Sequence, residues 1–274
     1  MSVYIPLIAQ RAGSIYRRPR NGILFINRLF AIPGIQLGIP GLRLEHFLFD
    51  SMHFADLGIL HYFMGEVLWA LAGLGFFGEM TDHDHDGADC ALKDAYTSWC
   101  KRFRVPDSER LVALSFNMCG TSESPLLKLK AGKSRAALPF IVYLLRSAGG
   151  RDLLDNADPA VSKGSKLLEV GEGMLTYYKI LRTQPRKMDD LAIQHMGVVV
   201  RKTSLAWTGS GRSCTMKFHV FARHIVEQAR WAGNPGYSHN YRDEAENFAT
   251  RKRSVGVNRV KLFTLRETPP TSPS

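Results

Sequence analysis

Asp50 and His53 are the residues of this chain whose types and spacing most clearly suggest chemistry. They stand in Asp50-Ser-Met-His53, between an apolar run typical of a strand, residues 42–49, and a long apolar run typical of a helix, residues 51–77. A carboxylate at the carboxyl end of a strand lies where open α/β sheets place their chemistry. Because His53 follows three residues later, the two side chains can share one helix face. The pair is a candidate for metal-dependent chemistry on nucleic acid.

Two further groups of side chains could bind a metal. The first is the polar segment 81–89, in which aspartate and histidine alternate over residues 82–86. Short polar residues beside a glycine are also typical of a solvated loop, which is the interpretation we favour. The second is the four cysteines, which are Cys90, Cys100, Cys119 and Cys214. They form no Cys-x-x-Cys pair and match no usual zinc spacing, so they indicate a reducing compartment rather than a zinc site or a disulfide framework.

The charge of the chain favours a polyanionic partner. The net charge is +11 over 274 residues, and basic runs occur at 128–135, 201–202 and 251–253. Each run would form a solvated face in many proteins, but together they could line a nucleic-acid channel. The candidate nucleic-acid-binding residues of the first run are Lys128, Lys130, Lys133 and Arg135.

The elements that position these residues are predicted to be mainly helical. We expect an irregular basic segment at 1–41, a strand and a helix within 42–80, and a polar loop at 81–91. A helical region at 92–211 should contain helices at 92–103, 110–118, 136–145, 162–183 and 187–207. A C-terminal region at 212–266 should contain helices at 215–232 and 242–253, and the Pro-, Thr- and Ser-rich residues 267–274 indicate a disordered tail.

The apolar stretch 54–78 is long enough to raise a transmembrane interpretation. It contains Asp56, His61 and Glu66. A charged residue near the centre of a membrane span costs about 2.5–3.5 kcal/mol. A buried helix of a soluble protein is therefore favoured over a membrane anchor.

A second constellation lies near the C-terminus, where Lys217 and His219 open a segment that reaches His224. Either histidine could equally be a core residue. Further on, Glu244, Asn247 and Arg251 fall at positions i, i+3 and i+7, on one helix face. A surface held by salt bridges would show the same pattern.

Together these blocks resemble the CACTA-type (En/Spm) transposases of plants and algae. Asp50-Ser-Met-His53 with Asp56-Leu-Gly58 is similar to their Asp-x-Met-His block, and Lys217-x-His219 to their Lys-x-His segment. Glu244, Asn247 and Arg251 match positions of their final acidic helix. The basic run 128–135 before an apolar helix is similar to transposon-related proteins common in dinoflagellates. The likeness spans residues 42–253.

The resemblance implies a predominantly α, α+β fold: a partial ribonuclease H-like core interrupted by a large helical insertion. In that family, three acidic residues hold two Mg²⁺ or Mn²⁺ ions that activate the attacking oxygen and stabilise the leaving oxygen. Asp50 would be the second acid and Glu244 the third, both as metal ligands. His53 would bind neighbouring structure, a metal or the scissile phosphate. Lys217, His219 and Arg251 would join the basic run in contacting DNA.

The chain departs from the family at the first acid, which should lie on an upstream strand. Residues 1–41 contain neither Asp nor Glu. A two-metal site needs that third carboxylate, so we expect an N-terminally truncated or decayed copy with impaired catalysis. The Arg-rich start also resembles a mitochondrial transit peptide or a basic arm that contacts phosphates.

The function predicted from the sequence is that of a transposon-derived, DNA-binding transposase remnant in the nucleus. Cytoplasm and mitochondrion are alternative locations, and a homo-oligomer is left open. One alternative function is a non-catalytic helical nucleic-acid-binding or scaffold protein. A less favoured one is a membrane-associated protein anchored by residues 54–78.

Overall fold

The computed structural model describes residues 49–79, 85–147 and 149–237. Within these ranges the chain is mostly helical and has no β-strand. The prediction of a predominantly α protein is confirmed. The helices are α1 (Met52–Gly73), α2 (Asp86–Arg102), α3 (Ala131–Ser147), α4 (Gly150–Ala157), α5 (Lys163–Thr183), α6 (Asp190–Gly209) and α7 (Met216–Ala232).

Helix α1 is the centre of the core. Its first part, Met52–Ile59, is π-helical, and Leu60–Gly73 is α-helical. The π-helical part packs against α3 and α7, and the α-helical part packs against α3, α4 and α5. Phe63 and Leu68 are completely buried, and burying each such side chain contributes about 1.5–3 kcal/mol. The apolar run therefore forms a largely buried helix, packed against other helices and against the segment that precedes α3.

By length and composition, α1 is also apolar enough to cross a membrane, the one such helix in the described part of the chain. Its most apolar window is 78% buried inside the protein itself. The core helix of a globular protein shows the same combination of length, apolar composition and burial.

The connection between α2 and α3 is where the sequence prediction was wrong. We expected a helix over 110–118, but residues 110–115 are irregular and are followed by a single 3₁₀ turn at Phe116–Met118. Two backbone N–H groups of this segment donate hydrogen bonds to side chains of α2. The Asp89 carboxylate accepts from the Phe116 N–H at 2.6 Å, and the Tyr96 hydroxyl accepts from the Leu111 N–H at 2.9 Å. These bonds replace the ones that a helix would have made.

Helices α5, α6 and α7 pack side by side, with α6 in contact with both α5 and α7. Helices α5 and α6 approach closely at Gly173, whose Cα faces the Thr203 side chain. A Cβ at this position would collide with the Thr203 hydroxyl. Asp189 caps α6 by accepting from the Ala192 N–H at 2.7 Å, and Thr215 caps α7 by accepting from the Phe218 N–H at 3.5 Å. These capping residues explain where the two helices begin.

Other boundaries differ from the prediction. Helix α2 begins at Asp86, so residues 86–91 are helical and not part of a polar loop. Helix α4 was not predicted; it follows Gly149, whose φ of 74° suits glycine. The predicted strand lies outside the described residues apart from Phe49, which is not in a strand. The helix expected at 242–253 and the tail at 267–274 also lie outside them. The ribonuclease H-like core accordingly stays a prediction.

Candidate functional site

Asp50 and His53 contact each other at the start of α1. The Asp50 carboxylate pairs through Oδ2 with Nδ1 of His53, and its Oδ1 accepts from the Met52 N–H at 2.9 Å. The side chains are 16% and 52% exposed, respectively. Because the first N–H groups of a helix have no partner within the helix, a carboxylate placed here stabilises the helix start. The predicted pairing is present, and it has a structural role whether or not it has a chemical one.

The C-terminal constellation reaches the same place through α7. The Gln228 side chain brackets the Phe49 backbone, accepting from its N–H at 2.7 Å and donating to its carbonyl at 3.2 Å. The Phe49 ring stacks on His224, with 5.5 Å between ring centroids, and His224 meets His219 edge to face at 5.2 Å. The structure therefore brings the Asp50 block and the Lys217–His224 block together.

A metal centre is not formed by the described residues. Among them, no group of three or more His, Cys, Asp or Glu side chains is placed to share an ion. Glu244 lies outside the described residues, as do residues 82–84 of the polar segment. With Asp50 and His53 as the only predicted ligands in view, the described donor set does not fit a two-metal site, and we assign no step to Mg²⁺ or Mn²⁺.

Two of the basic residues predicted to bind nucleic acid, Lys133 and Lys217, make contacts within the protein. Lys133 donates to the Ser108 and Arg110 carbonyls at 2.7 and 2.8 Å, which anchors the loop between α2 and α3. Lys217 donates to the Leu57 carbonyl at 3.2 Å. Burial lowers the pKa of Lys217.

The remaining described members of that set are exposed or partly exposed. Lys128 and Lys130 are exposed. Arg135 forms an ion pair with the buried Asp56, described below. His219 packs against His224, and Arg251 lies outside the described residues.

Asp56 lies at the centre of a buried polar cluster that the sequence did not predict. Its carboxylate is fully buried, pairs with Arg135 at 2.6 Å and accepts a hydrogen bond from the Tyr178 hydroxyl. The Arg135 guanidinium also lies over the Tyr178 ring, 4.8 Å from its centroid. Burial, together with the Asp56 charge, raises the pKa of Tyr178 well above its usual range. The cluster joins α1, α3 and α5, which is a structural role.

Glu66 forms a second buried cluster, in the α-helical part of α1. The Lys163 ammonium lies 2.8 Å from Oε1, and the Arg212 guanidinium pairs with Oε2. Glu66 is 2% exposed. The two cations come from the start of α5 and from the segment after α6. The charges that argued against a membrane span are therefore neutralised inside the protein.

His61 is the third polar residue buried on α1. Its Nε2 lies 2.9 Å from the Ser134 hydroxyl. Burial lowers the pKa of His61, the nearby Lys217 acts in the same direction, and a backbone hydrogen bond with Leu129 and the Asp56 charge act against it. A neutral histidine with a hydroxyl partner suits a packed interior.

A different surface, at the end of the bundle where α5 and α7 finish, has the composition expected of a binding site. Asn234 organises it: the side-chain amide donates to the Leu181 and Gln184 carbonyls, each at 2.9 Å, and the Asn234 N–H donates to the Arg186 carbonyl at 2.8 Å. Asn234 is 2% exposed. It therefore fastens the segment after α7 to the end of α5 and to the loop that follows.

We call this region the Asn234 surface. Its exposed side chains include five basic and two aromatic ones: Lys179, Arg182, Arg186, Lys187, Arg230, Trp231 and Tyr237. None of its five cations forms an ion pair with a described residue, in contrast to Arg135, Lys163 and Arg212. Two exposed acidic residues follow Lys187 closely: Asp189 caps α6, and neither Asp189 nor Asp190 forms an ion pair with a described residue. We did not predict this surface from the sequence, although residues 179–187 contain four basic residues and no acidic one.

No family model, no curated protein and no solved structure matches the chain.

Proposed function

We propose that this protein binds nucleic acid without catalysis, through phosphate contacts made by the Asn234 surface. The observation that supports the proposal is how the basic residues are used. Arg135, Lys163 and Arg212 neutralise buried carboxylates, whereas the cations of the Asn234 surface point into solvent with no acidic partner among the described residues. Exposed cations grouped at one place are what a phosphate backbone binds.

The positions of these cations suit a charged strand. Lys179 and Arg182 are three residues apart on α5 and so are neighbours on its surface. Arg186 and Lys187 follow directly after the helix, where the Arg186 carbonyl is held by Asn234. A phosphate chain passing the end of α5 would meet the four side chains in succession. The loop that carries two of them is fixed to the scaffold, so less ordering is needed on binding.

Binding through phosphates predicts a steep dependence on salt. If four side chains each neutralise one phosphate, log Kobs falls against log salt with a slope of about −3.6 on duplex DNA. Between 50 and 200 mM salt, that slope corresponds to a loss of about 150-fold in affinity. A salt-independent association would contradict the proposal.

The test is a comparison of two variants that lose the same charge. One carries Arg182→Gln, Arg186→Gln and Lys187→Gln; the other carries Lys101→Gln, Lys128→Gln and Lys130→Gln, at exposed positions elsewhere. On duplex DNA, the magnitude of the salt slope should fall by about 2.7 in the first variant. The second variant should retain most of the wild-type slope. Equal weakening would mean that net charge, not this surface, drives binding. No binding at 50 mM salt would refute the proposal and favour a scaffold protein.

A second candidate function is the transposase remnant that the resemblance implies. The observation in its favour is the meeting of the Asp50 and Lys217–His224 blocks through Phe49. Asp50→Asn is the informative variant, because asparagine caps a helix as well as aspartate does but lacks the carboxylate. Nicking of DNA with Mn²⁺ that is lost in Asp50→Asn at unchanged thermal stability would support this candidate. Nicking that persists in the variant would point to a contaminant.

A further inference from the structure

We infer that the Asn234 surface takes single-stranded nucleic acid, with Trp231 and Tyr237 stacking on unpaired bases. This inference rests on the proposed function and adds the class of ligand. Trp231 is 52% exposed and Tyr237 is 60% exposed. They differ from the other tryptophans: Trp69 packs on Phe116, Trp99 packs on Phe140, and Trp207 stacks on Phe218 at 4.7 Å.

The two exposed rings flank Asn234 in the sequence. Trp231 is three residues before Asn234 and Tyr237 is three residues after it, so neither Cα can be more than about 11 Å from the Asn234 Cα. Arg186 lies at the same point, because its carbonyl accepts from the Asn234 N–H at 2.8 Å. Aromatic faces and phosphate-binding cations are thus within the reach of a few nucleotides.

Both rings are carried by ordered backbone. Trp231 is in the last turn of α7. Tyr237 ends the 3₁₀ turn Pro235–Tyr237, in which its N–H donates to the Asn234 carbonyl at 3.0 Å and the Gly236 N–H donates to the Asn234 side chain at 2.8 Å. A Cβ on Gly236 would lie 3.3 Å from the Leu181 Cβ, so the turn sits directly on α5. Rings held in this way lose little freedom when a base stacks on them.

The ligand class follows from which bases can be reached. In a duplex the base faces are covered by their neighbours, and an exposed ring gains little from them. In a single strand every base has a free face, and aromatic residues bind it with little dependence on sequence. Loss of one stacking ring corresponds to about 5- to 150-fold in affinity. An exposed tryptophan and tyrosine among unpaired cations therefore favour a single strand over a duplex.

The test uses fluorescence anisotropy with a labelled oligo-dT of 20 nucleotides and a 20-base-pair duplex, both at 100 mM salt. We expect the protein to bind the single strand more tightly than the duplex. Trp231→Ala and Tyr237→Ala should each weaken single-strand binding by at least 5-fold and change duplex binding by less than 2-fold. Trp231→Phe should retain most of the affinity, whereas Trp231→Leu, which keeps apolar area but no ring, should not.

Controls separate this inference from the proposed function. Phe103→Ala removes an exposed aromatic ring elsewhere, beside Arg102, and should leave both affinities unchanged. The variant with Arg182→Gln, Arg186→Gln and Lys187→Gln should weaken both ligands. If the alanine variants bind the single strand as the wild type does, or if the duplex binds as tightly, stacking is refuted while phosphate binding stands. If neither ligand binds, both ideas fail and the rings are better explained as a contact for a protein partner. Circular dichroism melts confirm that each variant is folded.

Discussion

Removing both cations that contact Glu66 should lower the free energy of unfolding by more than the two single changes do together. Glu66 is 3% exposed in its side chain, Lys163 lies 2.8 Å from one carboxylate oxygen, and Arg212 pairs with the other. With one cation left, the carboxylate keeps a partner. With both replaced by methionine, the buried Glu66 carboxylate loses both of these cationic partners.

The size of the effect follows from burial. Breaking a buried ion pair by removing one partner costs about 3–5 kcal/mol. The Lys163 and Arg212 side chains are 24% and 37% exposed, so solvent screens each single pair. We expect about 1 kcal/mol for Lys163→Met or Arg212→Met and about 3–4 kcal/mol for the double variant. At about 2–4 °C per kcal/mol for a protein of roughly this size, the double variant should melt about 6–16 °C lower.

The assay is thermal and urea unfolding followed by circular dichroism. A third variant adds Glu66→Met to the other two changes, which replaces all three charges with apolar groups. Because such replacements are often neutral or stabilising, this variant should regain most of the lost stability. If the double variant loses less than 1 kcal/mol, or if adding Glu66→Met does not restore stability, then Glu66 does not hold a buried charge and the reasoning is refuted.

Two further predictions concern α1. Burial holds the pKa of His61 below 6.5, so the unfolded chain binds this proton more readily, and the stability that His61 contributes should be full above pH 6.5 and decline as pH falls below it. Urea unfolding at pH 7.5 and 5.5 should show a larger loss for the wild type than for His61→Gln; equal losses would contradict the assignment. Gly65→Ala should cost about 1–3 kcal/mol, because its Cβ would lie 2.6 Å from the Leu126 backbone nitrogen. Gly73→Ala, with no atom within 4 Å of the new Cβ, should be neutral or gain up to about 1 kcal/mol in the same unfolding assay, and a similar loss in both would argue against the close approach at Gly65.

The long helices were predictable because their apolar residues recur with the period of a helix. The predicted ranges 162–183, 187–207 and 215–232 correspond to α5, α6 and α7, and the observed starts differ by three residues or fewer. Local rules are sufficient there, since each helix carries its own apolar stripe and two begin at a capping residue.

The segment 110–118 was not predictable by the same rules. Its apolar residues and the preceding Pro106 and Asp107 are typical of a helix start. In the structure Asp107 pairs with Arg110 at 2.6 Å, and the backbone of the segment is bonded to side chains of α2. Partners that are distant in sequence decided the outcome, and a local pattern carries no information about them.

The candidate sites divide in the same way. The Asp50–His53 contact was predictable, because three residues on a helix place two side chains together whatever the rest of the chain does. The backbone contacts of Lys133, the ion pair of Arg135 and the exposure of Lys187 were not predictable. A lysine or arginine in a sequence is only a positive charge, and its role depends on whether a carboxylate, a carbonyl or water lies opposite it.

Composition and hydrophobic period were enough to predict that this protein is helical, basic and built around one very apolar helix, because both are properties of the chain alone. Folding determines which charged side chains are paired within the protein and which remain exposed at the surface. The buried carboxylates of Asp56 and Glu66 form ion pairs with Arg135, Lys163 and Arg212. Folding of α5 against α7 through Asn234 gathers the exposed cations with Trp231 and Tyr237. Charge is additive along a chain, but its availability to a partner depends on which groups folding brings close enough to neutralise one another.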